Sequence, residues 1–560
     1  MNRNANDHFN KLPVPNFPRT RHSMPIFQRK TSQGHGLLTP FFIAPVYPGD
    51  TWNIDMAAQV RADVSARVPL DEIYDDIYFF FVPYRLLDKD FVKVLGDKDD
   101  PYDTTQYSFP KLAFDNVSTE TDGLNFLPYY LGYHNAIVNI SGPQSDEVCA
   151  YPVAAYWKIW NDYFKDEHVD ASIPFEDLYN TSDLANPIDP TTRTLSFAVG
   201  DKTSIGYAAG GYLQLARVNK FHDYFTSALT SAVDGPETLI PMNMAPVGAV
   251  ATSAATITAG GSGQFKAGTY AVGDFASMEK TGATWSQAPI VADVQSSAGT
   301  IAQLTLAMQL YQLYHRRAVF GHRYIEQLRG MWGLEVSDYL VGRSEYLGGT
   351  QVTLNNIPVL DTTSSGLGTF AGNSQTTFAG ASFTKSMVEY GLLIGLSVTR
   401  IKHTYGQGCD PTLWDIETDL DLYNPLMANI GNVAIKNREI FNDPGSIYND
   451  QVFAYQESWS RLRAIPSDFS GFFAPLANST TSQEIREKFG YQDLYPSLPS
   501  FGSSWLKEGD EEVRRTLTGR LIPGSTSAGG HQFLFNYMVQ PTVTRILPAH
   551  AHLLGLLNRL

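Results

Sequence analysis

Several short stretches of the chain alternate apolar and polar residues, which is the pattern of a strand with one buried face. Gln532 to Val539 is the clearest, because a large apolar residue recurs at every second position, and Thr51 to Ala57 alternates in the same way. Ile73 to Val82 is apolar on both faces, and Tyr390 to Thr399 is rich in Leu, Ile and Val. These last two stretches predict buried strands, the first of them inside a sheet covered on both sides.

Helical periodicity is clearest at Pro152 to His168, where aromatic residues recur at three- and four-residue spacing on one face. Pro152 suits the first turn of such a helix. The aromatic stripe predicts contact with the protein core or with another subunit. Gln303 to Tyr314 predicts a second helix, and its basic continuation near Arg316 fits a helix C-terminus.

The segment from Val233 to Ala298 follows neither pattern. It is rich in Ala, Gly, Ser and Thr, and Lys266 is its only charged residue between Thr238 and Gly273. A flexible linker between two domains and an insertion into one domain both fit this composition, because small polar residues bury little apolar area. Strand patterns near both chain ends favour the insertion, since one sheet system can include them only if the middle leaves it.

Composition supports a large, mainly β protein. At 560 residues the chain is longer than one simple core usually supports, so we expect several domains or one domain with large insertions. The 32 Pro and 45 Gly favour short strands joined by irregular loops. The 30 Tyr and 32 Phe are many for an ordinary enzyme and favour large buried contacts, including contacts between subunits.

The distribution of charge distinguishes the N-terminus. The whole chain has a formal net charge of -16, which excludes a surface that binds nucleic acid throughout. Residues 1–35, by contrast, contain six basic residues against one acid, and four prolines interrupt any periodicity. This predicts an extended basic arm over residues 1–35. Contact with nucleic acid or a neighbouring subunit fits such an arm, and so does a solvated tail.

We find no motif for catalysis, cofactor binding or metal binding. The chain lacks a phosphate-binding loop, a His-Glu-x-x-His pair and a Gly-x-Ser-x-Gly elbow. The acidic stretch from Asp97 to Asp103 lacks the glycine of a calcium loop. The chain has two cysteines, Cys149 and Cys409, which allow one disulfide bridge at most and fit a reducing compartment. We predict no signal sequence and no membrane-spanning run.

Two other function classes stay open on these residues alone. A carbohydrate-active enzyme could place an acid pair among Asp415, Glu417, Asp419 and Asp421. A cell-surface, adhesin-type β protein would share the β-rich composition, although the missing signal sequence counts against it.

Eight sequence blocks, spread over nearly the whole chain, share a common resemblance. They are Leu37 to Thr51, Phe79 to Leu87, Ile159 to Phe164, His222 to Leu229, Arg323 to Glu326, Glu345 to Gly349, Thr404 to Gly408 and Phe453 to Glu457. In this order they resemble the major capsid protein of the Microviridae, small icosahedral bacteriophages with circular single-stranded DNA. The gokushovirus branch is the most similar.

The resemblance implies an eight-stranded antiparallel jelly roll over residues 36–560, with large inter-strand insertions that contain some helices. It implies a structural protein, not an enzyme, that assembles as 60 copies into a T=1 icosahedral shell. The 233–298 insertion would form surface protrusions at the three-fold axes and face a host-cell receptor. The protein would be located in the virion, assembled in the cytoplasm of the bacterial host, without membrane insertion.

The resemblance also implies partners for a packaged single-stranded DNA genome. Family members commonly rely on a small basic DNA-binding protein, and a minor vertex or pilot protein is expected as well. The inner surface of such shells contacts single-stranded DNA through aromatic and basic side chains. The candidate contacts are the arm residues Arg3, Lys11, Arg19 and Arg21.

Overall fold

The computed structural model describes residues 19–63, 72–97, 100, 102, 104–114, 125–133, 147–175, 193–197, 213–233, 235, 301–321, 323–354, 375–414, 416–468, 498–509 and 531–547. The chain divides into two compact units, residues 1–232 with 317–560, and residues 233–316. The predicted insertion at 233–298 falls in the smaller unit. Apart from Val233 and Gly235, that insertion lies outside the described residues.

The Pro and Gly content predicts short strands, but six strands of the two large sheets are 10 to 13 residues long. In chain order the strands of the described residues are β1 (Thr20–Ser23), β2 (Phe27–Gln33), β3 (Thr39–Val46), β4 (Thr51–Ala62), β5 (Ile73–Pro83), β6 (Lys111–Phe114), β7 (Val148–Cys149), β8 (Thr194–Phe197), β9 (Glu345–Leu354), β10 (Gln375–Ser386), β11 (Gly391–Ile401), β12 (Asn432–Lys436), β13 (Val452–Glu457) and β14 (Phe533–Arg545).

Helices occur mainly between strands of the two large sheets. In chain order they are α1 (Tyr84–Leu87), α2 (Phe91–Val94), α3 (Leu127–Tyr130), α4 (Tyr151–Ile159), α5 (Ile301–Phe320), α6 (Tyr324–Trp332), α7 (Asp338–Val341), α8 (Pro411–Trp414), α9 (Asn437–Ile440) and α10 (Ser503–Leu506). A π-helical turn continues α4 over Trp160–Phe164. Three 3-10 turns occupy Asp419–Asp421, Pro425–Met427 and Ser460–Leu462.

Two large antiparallel sheets form the sandwich of the larger unit, and β12-β13 and β7-β6-β8 form two small sheets beside them. The first large sheet has the order β3-β11-β5-β9; in the second, β4 lies between β14 and β10, and both β1 and β2 pair with β14. Within these sheets, successive strands cross from one sheet to the other from β2 to β5 and again from β9 to β14. Only the step from β5 to β9 stays in the first sheet. This connectivity is that of a jelly roll, which confirms the predicted mainly β fold.

A core of aromatic and aliphatic side chains fills the space between the two sheets. Phe41 of β3 stacks on Tyr537 of β14 with ring centroids 4.3 Å apart, and meets Phe79 of β5 edge-on at 5.5 Å. All three side chains are fully buried. Alternate residues of β14 are buried along most of its length, whereas β5 and β11 are buried on both faces. These burial patterns confirm the strands that the sequence predicted.

The helix α4 covers the outer face of the first sheet. Trp157 and Trp160 are fully buried in one cluster with Phe80 of β5 and Leu396 of β11. The aromatic stripe therefore lies in the core. The helical conformation ends at Phe164, short of the predicted His168. Arg323 caps this end, because its guanidinium donates to the carbonyl oxygens of Asn161 and Lys165 at 3.2 and 3.0 Å.

A buried ion pair lies beneath α1 and α2. The Arg193 guanidinium donates to both carboxylate oxygens of Asp88, at 2.7 and 3.1 Å, and to the Ser108 carbonyl at 2.9 Å. The Tyr151 hydroxyl donates to Asp88 at 2.8 Å. Both charged side chains are fully buried. Such a pair is tolerated in a low-dielectric site only because each charge is met by the other and by further hydrogen bonds.

A second buried carboxylate, Glu508, joins three distant segments. Its Oε2 lies 3.1 Å from the Nε2 atoms of both His35 and His403. Burial alone would raise the pKa of Glu508, but the two imidazoles lower it well below its usual range. Gly36, at φ +72°, lets the backbone approach this site, because a Cβ there would lie 2.9 Å from the Glu508 carbonyl oxygen.

Asp75 of β5 is a third buried acid, and it faces the interior of the sandwich. The Ser397 hydroxyl donates to its Oδ1 at 2.8 Å, and Tyr537 donates to Ser397 at 2.8 Å. Burial raises the pKa of Asp75 to about 8. The folded chain therefore keeps this proton at neutral pH, whereas an unfolded aspartate loses it near pH 4.

We expect the barrel to lose stability as pH rises from about 4 to about 8, because only the folded state binds the Asp75 proton in that window. The contribution is about 1.4 kcal/mol per pH unit. Urea unfolding of the unassembled chain at several pH values measures it. Asp75→Asn should remove this slope, and Asp55→Asn at an exposed position of β4 should not. Equal slopes in both variants would contradict the assignment.

Candidate capsid surfaces

The basic N-terminal residues that the structure describes lie at the edge of the second sheet. Arg21 is exposed in β1 and pairs in register with Thr544 of β14. Arg19 is exposed just before β1. One of its guanidinium nitrogens lies 3.3 Å from the point that a Cβ atom on Gly49 would occupy. Arg19 and Arg21, two of the four predicted DNA-contact residues, are thus close in the chain and both exposed. Arg3 and Lys11 lie outside the described residues.

Two further basic residues of the arm, Arg29 and Lys30, are neighbours in β2, so their side chains point to opposite faces of the sheet. Arg29 points inward and donates to the Tyr130 carbonyl oxygen at 2.5 Å, and burial lowers the pKa of its guanidinium. Lys30, its neighbour, is exposed. Charge counting treats these residues alike, but only Lys30 is available to an external partner.

A large apolar surface lies on residues 411–465, which we call the 411–465 surface. Its exposed side chains are Leu413, Trp414, Ile416, Leu422, Tyr423, Leu426, Ile430, Val433, Ile447, Tyr448, Val452, Leu462 and Ile465, with exposed fractions of 42 to 93%. Single exposed apolar residues are ordinary, whereas so many on one segment make it a candidate for contact with another molecule.

The turns that carry this surface are ordered by hydrogen bonds and ring contacts. Tyr423 packs edge-on against Trp459 with ring centroids 5.4 Å apart, and the Trp459 indole donates to the Met427 carbonyl at 2.9 Å. The Asn424 side chain accepts from the Leu426 amide at 3.0 Å. Apolar side chains on such a preorganised frame lose less entropy when they bind a partner.

A second apolar surface lies on α6 and α7, and we call it the α6–α7 surface. Tyr324, Trp332, Leu334 and Leu340 are 54 to 74% exposed, whereas Ile325 of the same helix is buried. Ile325 thus points inward, whereas Tyr324 and Trp332 of the same helix remain in solvent. Sequence periodicity did not identify either surface, because the exposed residues follow no regular spacing.

The acids proposed for a glycosidase do not form an enclosed pair among the described residues. Glu417, Asp419 and Asp421 are exposed on one turn, and Asp415 lies outside the described residues. Hydrogen bonds from the backbone of Thr418 and Glu417 lower the pKa of Asp421, which is opposite to the shift that a general acid needs.

Metal ligands and cysteines are likewise dispersed in the described part of the chain. No group of three or more His, Cys, Asp or Glu side chains there could hold a metal ion. Cys149 and Cys409 are both free thiols. Among the helices that the structure describes, none is long and apolar enough to cross a membrane.

The jelly roll is the fold of viral capsid and lectin domains, and large exposed apolar surfaces belong to subunits that are covered in an assembly. Both features are those of a viral capsid subunit, and lectin domains share the fold. Residues 11–549 match the model of the family described as "Capsid protein (F protein)". The chain therefore belongs to the F-protein family of capsid proteins, and its role is structural.

Three relatives, each named capsid protein VP1, align with most of the chain. The protein of Spiroplasma virus 4 is 28% identical over 509 residues, which cover 86% of each chain. The protein of Bdellovibrio phage phiMH2K is 29% identical and covers 91% of this chain and 92% of its own length. That of Chlamydia phage 1 is 28% identical, with 85% and 87% covered. These matches confirm the resemblance to Microviridae capsid proteins.

Proposed function

We propose that 60 copies of this chain form a closed T=1 icosahedral shell around a circular single-stranded DNA genome. The observation that carries the proposal is the pair of apolar surfaces, 411–465 and α6–α7, which are exposed in the isolated chain. Family membership supports assembly into a multi-copy shell. Each surface would be covered by a neighbouring copy, and apolar burial would drive the association.

The arm supplies the genome contact in this proposal. Arg19 and Arg21 are exposed side by side at one sheet edge, and with Arg3 and Lys11 they would neutralise phosphates on the inner surface. The net charge of -16 leaves most of the genome charge to another protein, so a small basic partner is required. A minor vertex or pilot protein would complete the particle.

The segment 233–298 is assigned to the outer surface of the virion. Its few charges and mostly small side chains suit close packing with two other copies at a three-fold axis, and the resulting protrusion would contact the host receptor. Assembly would take place in the cytoplasm of the bacterial host.

The shell is tested by replacing Leu426, whose side chain is 93% exposed on the 411–465 surface. Leu426→Asp should prevent particle formation, because a buried, unpaired carboxylate is costly in an interface. Its folding should be unchanged, because Leu426 contributes no core contact. Gradient sedimentation and electron microscopy of expressed particles measure assembly, and thermal unfolding measures stability.

Leu426→Met is the matched control, since it keeps an apolar side chain at this position. It should assemble like the original chain, and the particles should protect single-stranded DNA from nuclease. Shells that form normally from Leu426→Asp would exclude this surface from the contact between copies. A chain that stays monomeric without any substitution would overturn the proposed shell.

A further inference from the structure

A cavity of about 440 Å³ opens beside the α6–α7 surface. The π-helical turn after α4, the loop at residues 172–174, the start of α6 and residues 341–343 enclose it. Its charged lining consists of Lys158, Lys165, Arg323 and Arg343, against the single carboxylate of Asp162. A lining with four cations and one anion is positive, although the chain as a whole carries a net charge of -16.

The carboxylates near this cavity are already engaged with particular cations. Asp162 accepts from the Ser344 amide at 3.0 Å and lies 3.4 Å from Lys158. Arg323 is held between Glu167 and Glu326 at 2.5 and 3.3 Å. These pairs fix the cavity wall and offset part of its charge.

Two cations retain capacity for an external anion. The Lys165 ammonium donates to the Ser172 hydroxyl at 2.8 Å, and it forms no ion pair with a carboxylate of the described residues. Arg343 stacks over the Tyr163 ring at 3.9 Å and donates to the Asp162 carbonyl oxygen, and its Nη1 lies 3.9 Å from Asp338, too far for a hydrogen bond. A carboxylate entering the cavity would meet both groups.

A turn of opposite charge lies within the 411–465 surface. Residues 411–435 contain four acids, Asp415, Glu417, Asp419 and Asp421, and neither lysine nor arginine. Asp421 organises this acidic turn by accepting from the Thr418 amide at 2.8 Å and the Glu417 amide at 3.1 Å. The Glu417 and Asp419 side chains are exposed and form no ion pair among the described residues.

Each of the two sites has a charged centre between exposed apolar side chains, and the two centres carry opposite charge. Exposed Trp414 and Tyr423 flank the acidic turn, and exposed Tyr324 and Leu340 flank the cavity. Large apolar side chains around a charged centre are the usual composition of protein interfaces, where opposite charge fixes the register. Two different patches on one chain can pair reciprocally about a two-fold axis or head to tail, and head-to-tail contacts can close into rings.

We propose that the acidic turn of one copy docks into the basic cavity of a neighbouring copy, with Glu417 and Asp419 facing Lys165 and Arg343. This contact rests on the proposed shell and specifies which surfaces meet in it. The occupant of the cavity is thus a second copy of this chain, because assembly brings copies together and this chain carries the complementary charge.

Charge reversal tests the contact in particles made by cells that express the full chain. Lys165→Glu and Asp419→Lys should each raise the concentration needed for assembly by about tenfold, because each places like charges together. Combining the two substitutions restores opposite charges and should recover most of the particle yield. Lys111→Glu and Asp55→Lys are the matched controls, since both positions are exposed and lie outside the two surfaces.

The outcomes separate this contact from the shell itself. Recovery in the double variant, with both controls assembling normally, supports the docking, and it does so even if Lys165→Glu alone lowers the melting temperature. Normal shells from both single reversals would overturn the docking and leave the shell intact, as would a double variant no better than the singles. Absence of particles from the unsubstituted chain would instead count against the proposed shell.

Discussion

Replacing Arg193 with methionine is expected to lower the free energy of unfolding by about 3–5 kcal/mol, because it leaves the Asp88 carboxylate buried without its counter-charge. The loss should exceed that of an ordinary surface ion pair several-fold. Equilibrium urea unfolding of the unassembled chain measures it. Asp88→Asn in the same chain should recover part of the loss, since the amide removes the buried charge and still accepts from Tyr151.

Arg463→Met provides the matched control for this prediction. Arg463 pairs with Glu457 at 2.8 Å, but its side chain is 59% exposed, so its removal should cost less than about 1 kcal/mol. If Arg193→Met cost no more than Arg463→Met, the buried pair would have no special role in holding α1 and α2 to the sheet.

Trp157→Ala is expected to destabilise the chain by about 3–5 kcal/mol, because it leaves a cavity in the layer between α4 and the first sheet. The indole contacts Tyr156 and Trp160 edge-on, at 5.2 and 5.9 Å, and neither neighbour can move into the space without losing its own packing. Thermal or urea unfolding reports this change before any assembly takes place.

The same substitution at Trp332 separates folding from assembly. Trp332 is 74% exposed, so Trp332→Ala should change stability by no more than about 0.5 kcal/mol. It should nevertheless reduce particle yield, since the residue belongs to the α6–α7 surface. Equal destabilisation by both tryptophan substitutions would show that the exposed ring is part of the folding core.

Periodicity predicted the central strands well and the peripheral ones poorly. The pattern at Gln532 to Val539 gave only the first half of β14, because Pro541 interrupts the rest. The carbonyl of Pro541 accepts from the Met24 amide, and Met24 lies in the break between β1 and β2. The N–H and the carbonyl of a strand residue point the same way, so the N–H that proline lacks would also face this break. A proline is acceptable at this position because no partner strand needs its N–H. Only the strand pairing in three dimensions shows that the partner strand is interrupted here.

The strands β9 and β10 were not predicted, because Gly, Ser and Thr replace the large residues that mark a strand. Gly349 of β9 is required by the tight approach of the neighbouring strand, since a Cβ there would collide with the Ile77 carbonyl. In the same way, the composition of residues 1–35 predicted an extended basic arm but did not indicate that residues 20–23 and 27–33 pair as strands. Their partner, β14, is some 500 residues away in the sequence.

Charge and composition predicted the candidate surfaces less well than periodicity predicted the strands. Charge counting selected Arg19 and Arg21, and both are exposed, yet it could not separate half-buried Arg29 from exposed Lys30. The 411–465 surface escaped notice because its leucines and tryptophan have the composition of a core. Only the burial of each side chain distinguishes an interior residue from one reserved for another copy.

The position of β14 also sets the timing of biosynthesis. This strand lies between β4 and the arm strands in the second sheet, yet it is translated about 480 residues after β4 begins. At ribosomal rates of about 5–20 residues per second, the inner edge of β4 waits roughly 24–96 s for its partner. A nascent or truncated chain without β14 therefore leaves this edge of β4 unpaired.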